Sequence, residues 1–246
     1  MRVFRCGSRN RLILLVSCFS KGIGEIYVPG SPRIDLGEGF TRPHDLLCEL
    51  RQDVEAAYKT LELDRKSQYL RRCVVRAVFS YIEAIIESIK IELRSTVRTG
   101  QYAEVLADKD KETLGPLHIV GAEPGRFLPL DSNIRRTFRL AAKIWKLKTF
   151  KLDTGGLEFR DFLAAKSARN CLTHPRTFYD IEVNDLDMHC HTTAGMWVEK
   201  ELGRLFEARI HALAEGLPVE DRASFIADFT DSRKSHTNTA FRSDDA

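Results

Sequence analysis

Residues 67–97 read SQYLRRCVVRAVFSYIEAIIESIKIELRSTV, and their apolar positions decide the fold class. Leu70, Val74, Val75, Val78, Tyr81, Ile82, Ile85, Ile86, Ile89 and Leu93 recur at intervals of three and four, which puts them on one face of an α-helix. A stripe this long and apolar needs other helices to cover it, so it predicts the central helix of a bundle. The opposite face carries Arg76, Ser80, Glu83, Glu87, Lys90 and Arg94, again at helical spacing, and reads as a charged stripe with internal ion pairs.

The flanking segments extend this pattern. Before it, residues 45–63 place Leu46, Leu47, Leu50, Val54, Ala57, Tyr58 and Leu61 on one face, predicting a helix that starts between Thr41 and Asp45. After it, 101–112 predicts a weaker helix, and the glycines and prolines of 113–130 predict a loop in which His118 is a packing or surface residue. Asp131 and Ser132 can cap a helix over 133–149, with Ile134, Phe138, Leu140, Ala141, Ile144 and Leu147 inward. Thr154, Gly155 and Gly156 break it, and 157–171 predicts the next helix, with Leu157, Phe159, Phe162, Leu163 and Ala165 inward. An extended stretch through Phe178, Tyr179, Ile181 and Val183 follows, then a long helix capped by Asn184 or Asp185 and running to about Gly216. The expected architecture is therefore all-α, an up-and-down bundle of four to five main helices over 45–217, with an irregular lead-in over 1–44 and a flexible polar tail over 218–246.

Composition sets further bounds. The 246 residues, 43% hydrophobic and 30% charged, describe a globular chain with enough length for one core. A net charge of +3 implies no global field, so a nucleic-acid partner would need a local basic patch. Such a patch lies on the predicted 133–149 helix, where Arg135, Arg136, Arg139, Lys143, Lys146, Lys148 and Lys151 surround Trp145 and Phe150; a solvated basic face is the plainer reading of it. Cys6, Cys18, Cys48, Cys73, Cys171 and Cys190 form no CxxC pair, which favours reduced thiols in a cytoplasm over a disulfide or zinc framework. Near the start, RNRLILLVSCF over 9–19 resembles a lipoprotein processing box at Cys18, but its apolar run is short for a signal core, and no membrane association is expected. Gly22, Gly24, Gly37 and Gly39 lack the GK[ST] ending of a phosphate loop. The MHCH of 188–191 would turn His189 and His191 about 200° apart on a helix, so they read as surface histidines and no metal site is expected.

Chemistry concentrates in 165–183, AKSARNCLTHPRTFYDIEV. Pro175 stops a helix and pushes His174 to its end, with Arg169 about one and a half turns earlier. A permanent cation beside a group that titrates near neutrality suits work on a phosphodiester. Arg204 and His211 offer a near-duplicate spacing, but within an unbroken helical run.

An arginine, a polar residue and a histidine after four intervening residues, followed by proline, resembles the signature of the HEPN superfamily of helical domains, many of them endoribonucleases. The resemblance covers roughly 45–216. It implies metal-independent RNA cleavage by attack of the ribose 2′-hydroxyl, with no cofactor, leaving 2′,3′-cyclic phosphate and 5′-hydroxyl ends. His174 would act as general base or acid, Arg169 would stabilise phosphorane charge, and Asn170 would hold a phosphate oxygen or orient the histidine. Glu83 resembles the acidic residue of an early helix that orients the arginine, with Glu87 as its competitor. RNA would contact Arg135, Arg136, Arg139, Lys143, Lys146 and Arg176. A homodimer joining two sets in one cleft is implied, in a toxin or phage-defence setting with an antitoxin or regulatory protein as a further partner. Position 176 departs from the toxin branch, where a tyrosine follows the histidine by two positions; here it is arginine, so a nucleotidyltransferase-type antitoxin is not implied. Two other readings stand beside this one. Arg169 and His174 would merely finish a helix if the arginine paired with Glu158, Asp161 or Asp180, or the domain would bind RNA, nucleotide or protein without turnover.

Overall fold

The computed structural model describes residues 41–100, 102, 104–115 and 128–227. Expectations for the lead-in over 1–40, for Cys6, Cys18 and His118, and for the end of the chain past 227 lie outside these residues. The described chain is helical, with no strand: α1 (Thr41–Leu63), α2 (Gln68–Arg98), α3 (Asp108–Leu114), α4 (Leu130–Ile144), α5 (Leu157–Thr173), a 3₁₀ turn (Phe178–Ile181) and α6 (Asp185–Glu215). It falls into two compact units, one of 46–201 and one that includes 41–45 and 202–227. None of the described helices is long and apolar enough to cross a membrane.

Helix α2 is the axis of the first unit. Ser67 caps it, its hydroxyl accepting from Leu70 N at 3.4 Å, and Thr99 ends it with its N–H on Ser95 O. Val74, Val75, Val78, Tyr81, Ile82, Ile85, Ile86, Ile89 and Leu93 are buried, as the stripe demands, while Leu70 is half-buried and Phe79, outside the stripe, is buried beside it. Each such side chain contributes about 1.5–3 kcal/mol when fully buried, so this face dominates the core. Helices α3, α4 and α5 all pack on α2. Tyr58 of α1 meets Thr192 of α6, hydroxyl to hydroxyl at 2.8 Å, and burial pushes that phenol up to about 12.

The entry to α5 is fixed by α6. Asp153 donates its N–H to Glu201 Oε2 at 3.1 Å and accepts Trp197 Nε1–H on its carbonyl at 3.1 Å. Trp197 also meets Phe159 and Phe162 at ring distances of 5.0 and 5.2 Å, so one aromatic cluster sets the start of the helix that carries Arg169.

Several sequence expectations are corrected. The weak helix expected over 101–112 is confined to Asp108–Leu114. Helix α4 begins at Leu130, with Asp131 inside its first turn, and stops at Ile144. It stops because Lys146 takes a left-handed conformation (φ 56) and Leu147 N reaches back to Ala142 O at 2.8 Å, a Schellman closure built without glycine. The stretch after Pro175 is a 3₁₀ turn instead of extended chain. Leu46 and Leu157, expected inward, are 50% and 69% exposed, while Leu47 and Phe159 in the same turns are buried at 2%, so the two leucines lie off the covered faces of their helices. In the second unit 219–227, expected as part of a flexible tail, is helical, and Arg222 ties back to Leu217 O and Glu215 O.

Candidate functional site

Helix α5 ends where the sequence places the stop. His174 N–H still bonds Asn170 O at 3.0 Å, but the residue itself has left the helix (φ −130, ψ 60) ahead of Pro175. The side chains around this end come from two helices in contact. On α2, Arg76, Ser80 and Glu83 recur at four and three residues and share a face; on α5, Arg169 and Thr173 are one turn apart. Together they wall a groove of about 310 Å³ whose apolar lining is Val75, Phe79 and Leu172.

Arg169 forms part of the wall of this groove. Its Nη2 donates to Glu83 Oε1 at 2.6 Å and its Nη1 to Asn170 Oδ1 at 3.3 Å, while its guanidinium carbon stands 6.0 Å from the Phe79 ring centre. The Arg169 and Glu83 side chains are 26% and 46% exposed, so the pair is open to solvent at the groove. Glu87, the competing carboxylate, is taken by Arg94 at 2.6 Å and Lys90 at 3.8 Å. Lys90 is itself buried, and burial pulls its pKa down, so the charged stripe of α2 is less solvated than its sequence implied. None of the other acids considered for Arg169 is bonded to it. Glu158 holds Lys200 at 2.6 Å, Asp161 lies 3.9 Å from His189, and Asp180 accepts the backbone N–H groups of Arg176 and Thr177 at 2.7 and 2.8 Å. Those two bonds hold the Asp180 carboxyl below its usual range and freeze the turn that follows the histidine.

His174 and Asn170 are exposed. His174 directly follows the groove residue Thr173, but its imidazole is not part of the groove wall. Arg176 is exposed on the same turn, with Phe178 and Tyr179 beyond it. The basic helix α4 is a separate surface and is less basic than its sequence suggests. Arg136 is bound by Glu112 and Lys143 by Asp110, both at 2.7 Å, and Arg135 lies over the Phe159 ring at 4.7 Å. Asp110 correspondingly raises the Lys143 pKa. Arg139 and Lys146 are exposed, but Phe150, one of the two aromatics expected with the patch, stacks on the buried Phe138 with ring centres 6.3 Å apart. The sequence of α4 could not show that α3 would bring two carboxylates to it.

The MHCH pair splits as the helix angle requires, but not into two surface residues. His189 is exposed, whereas His191 is fully buried against Phe79 at 5.5 Å, with Nδ1 bonded to Asp187 O and no hydrogen-bond partner on Nε2. Among the described residues, no group of three or more His, Cys, Asp or Glu side chains could hold a metal ion. Arg204 and His211 both lie within α6. Sequence reasoning left Arg76, Ser80 and Thr173 out of the site. Their spacing relative to Glu83 and Arg169 was a usable signal, but only once α2 was known to face α5. No known protein family, curated protein or solved structure matches this chain.

Proposed function

We propose that this chain is a metal-independent endoribonuclease of the HEPN kind. The observation that supports it is the Glu83–Arg169 pair: a carboxylate on the central helix aims a guanidinium into an open groove, with an exposed histidine five residues further along at the helix end. Arg169 presents its remaining N–H groups to a phosphate oxygen and stabilises the charge that grows on the phosphorane. His174, in its neutral form, takes the proton of the attacking ribose 2′-hydroxyl; as imidazolium, it returns one to the departing 5′-oxygen. The bond formed is 2′-O to phosphorus and the bond broken is phosphorus to 5′-O, which yields a cyclic phosphate. Arg76 adds a second cation to the groove, and Asn170 steadies the arginine. A second copy of the chain would supply a second arginine and histidine to the same phosphate. A substrate with a single 2′-deoxyribose at the cleaved position tests this scheme, because removal of that hydroxyl should abolish cleavage there; cleavage at the deoxy site would refute it.

One observation favours a second reading. Arg169 already has a carboxylate partner, and the His174 ring lies outside the groove wall, which suits a module that binds RNA, nucleotide or a protein partner without turnover.

A further inference from the structure

Phe178 and Tyr179 stand in water four and five residues after His174, 76% and 80% exposed. Two adjacent aromatic rings left this open forgo a burial that each could have had in a core. The turn beneath them is nevertheless firmly built. Thr177 and Asp180 form a reciprocal capping box, Asp180 also accepts Arg176 N–H, Arg72 donates to Ile181 O at 3.0 Å, and Gln68 exchanges two bonds with Val183. The backbone is thus fixed while the rings are presented. The rings meet edge to face, 6.4 Å apart at 78°, so they do not stack on each other and at most one ring face is met by its neighbour. Phe178 lies four residues after His174, a span of at most about 14 Å of chain. The charge around them is mixed. Arg176 is exposed and Arg71 and Arg72 hold the end of the turn, Arg71 on Asp185 at 2.6 Å, while Asp180 is occupied by backbone N–H groups and Glu182 stands exposed.

We infer that Phe178 and Tyr179 are a stacking platform for unpaired nucleobases next to the cleaved phosphate, making single-stranded RNA the substrate class. This rests on the ribonuclease reading for the identity of the ligand. Bases in a duplex already stack on each other, so the platform discriminates against paired RNA.

The test is fluorescence anisotropy with a 2′-O-methyl oligonucleotide, which cannot be cleaved by 2′-hydroxyl attack, as a single strand and as a duplex. Changing Phe178→Ala and Tyr179→Ala together should weaken single-strand binding by roughly 5- to 150-fold per ring and leave duplex binding little changed. The exchange Phe178→Tyr with Tyr179→Phe keeps both rings and should restore single-strand affinity. Because both side chains are in water, the alanine variant should melt as the parent does. Parent-like single-strand binding by that folded variant would overturn the platform, and so would a parent that binds neither oligonucleotide, which would direct the rings to a protein surface. Loss of binding in the variant alongside a parent that cleaves no RNA would keep the platform and remove the ribonuclease reading.

Discussion

Replacing Glu83 with glutamine probes the contact on which the site depends. The substitution keeps the shape and one oxygen acceptor but removes the charge opposite Arg169. The pair is short, 2.6 Å, yet its side chains are 26% and 46% exposed, so solvent screens it and its worth should be that of a surface pair. That is about 0.5–1 kcal/mol, well below the 3–5 kcal/mol lost on breaking a buried pair. In melting temperature this is about 1–4 °C for a chain of this size. A double-mutant cycle of Glu83→Gln and Arg169→Ala, read by urea unfolding, should therefore give a coupling energy in that range. If Glu83 also aims the guanidinium, Glu83→Gln should lower kcat on RNA by about tenfold, equivalent to 1.4 kcal/mol, with little change in KM. A coupling energy of zero, with kcat unchanged, would refute the claim that this carboxylate positions the arginine.

Three further outcomes follow from the fold. Lys146→Gly should stabilise the protein by about 1 kcal/mol, because Lys146 holds a left-handed backbone (φ 56) that glycine adopts freely; chemical denaturation reads it, and a destabilised variant would contradict the Schellman closure. Gly115→Ala should cost about 1–3 kcal/mol, since φ 72 with ψ −176 is a conformation reserved for glycine, and an alanine variant as stable as the parent would count against that turn. Burial lowers the His191 pKa from its ordinary 6.5, even though the nearby Asp187 pulls the other way. Below that pH the unfolded chain takes up a proton that the fold resists, so stability should fall as pH drops below 6.5 and be unaffected by this group at higher pH. A His191→Gln variant should lose that part of the slope in unfolding curves at pH 7.5, 6 and 5; an identical slope would show that another group carries it.

The fold was legible where one element supplied its own pattern. The stripe from Leu70 to Leu93 was enough to assign α2 and its buried face, and Pro175 was enough to end α5 at His174. It was not legible where the deciding partner came from a distant segment. The end of α4 depends on a lysine in a left-handed conformation, which no glycine or proline announces. The basic face of α4 is partly neutralised by Asp110 and Glu112 of α3, and the depth of His191 depends on Phe79 of α2. The site divides the same way. Arg169, Asn170 and His174 are read from one short stretch, and family resemblance suggested Glu83. Arg76, Ser80 and Thr173 join Arg169 and Glu83 in the groove wall only through the contact of α2 with α5.

The most direct test is incubation of the purified protein with mixed cellular RNA in EDTA, beside His174→Ala and Arg169→Ala variants shown to fold, with the chemistry of the product ends read out. The account predicts 2′,3′-cyclic phosphate and 5′-hydroxyl ends from the parent and neither end from the two variants. Intact RNA with the folded parent, or parent-level cleavage by either variant, would contradict it.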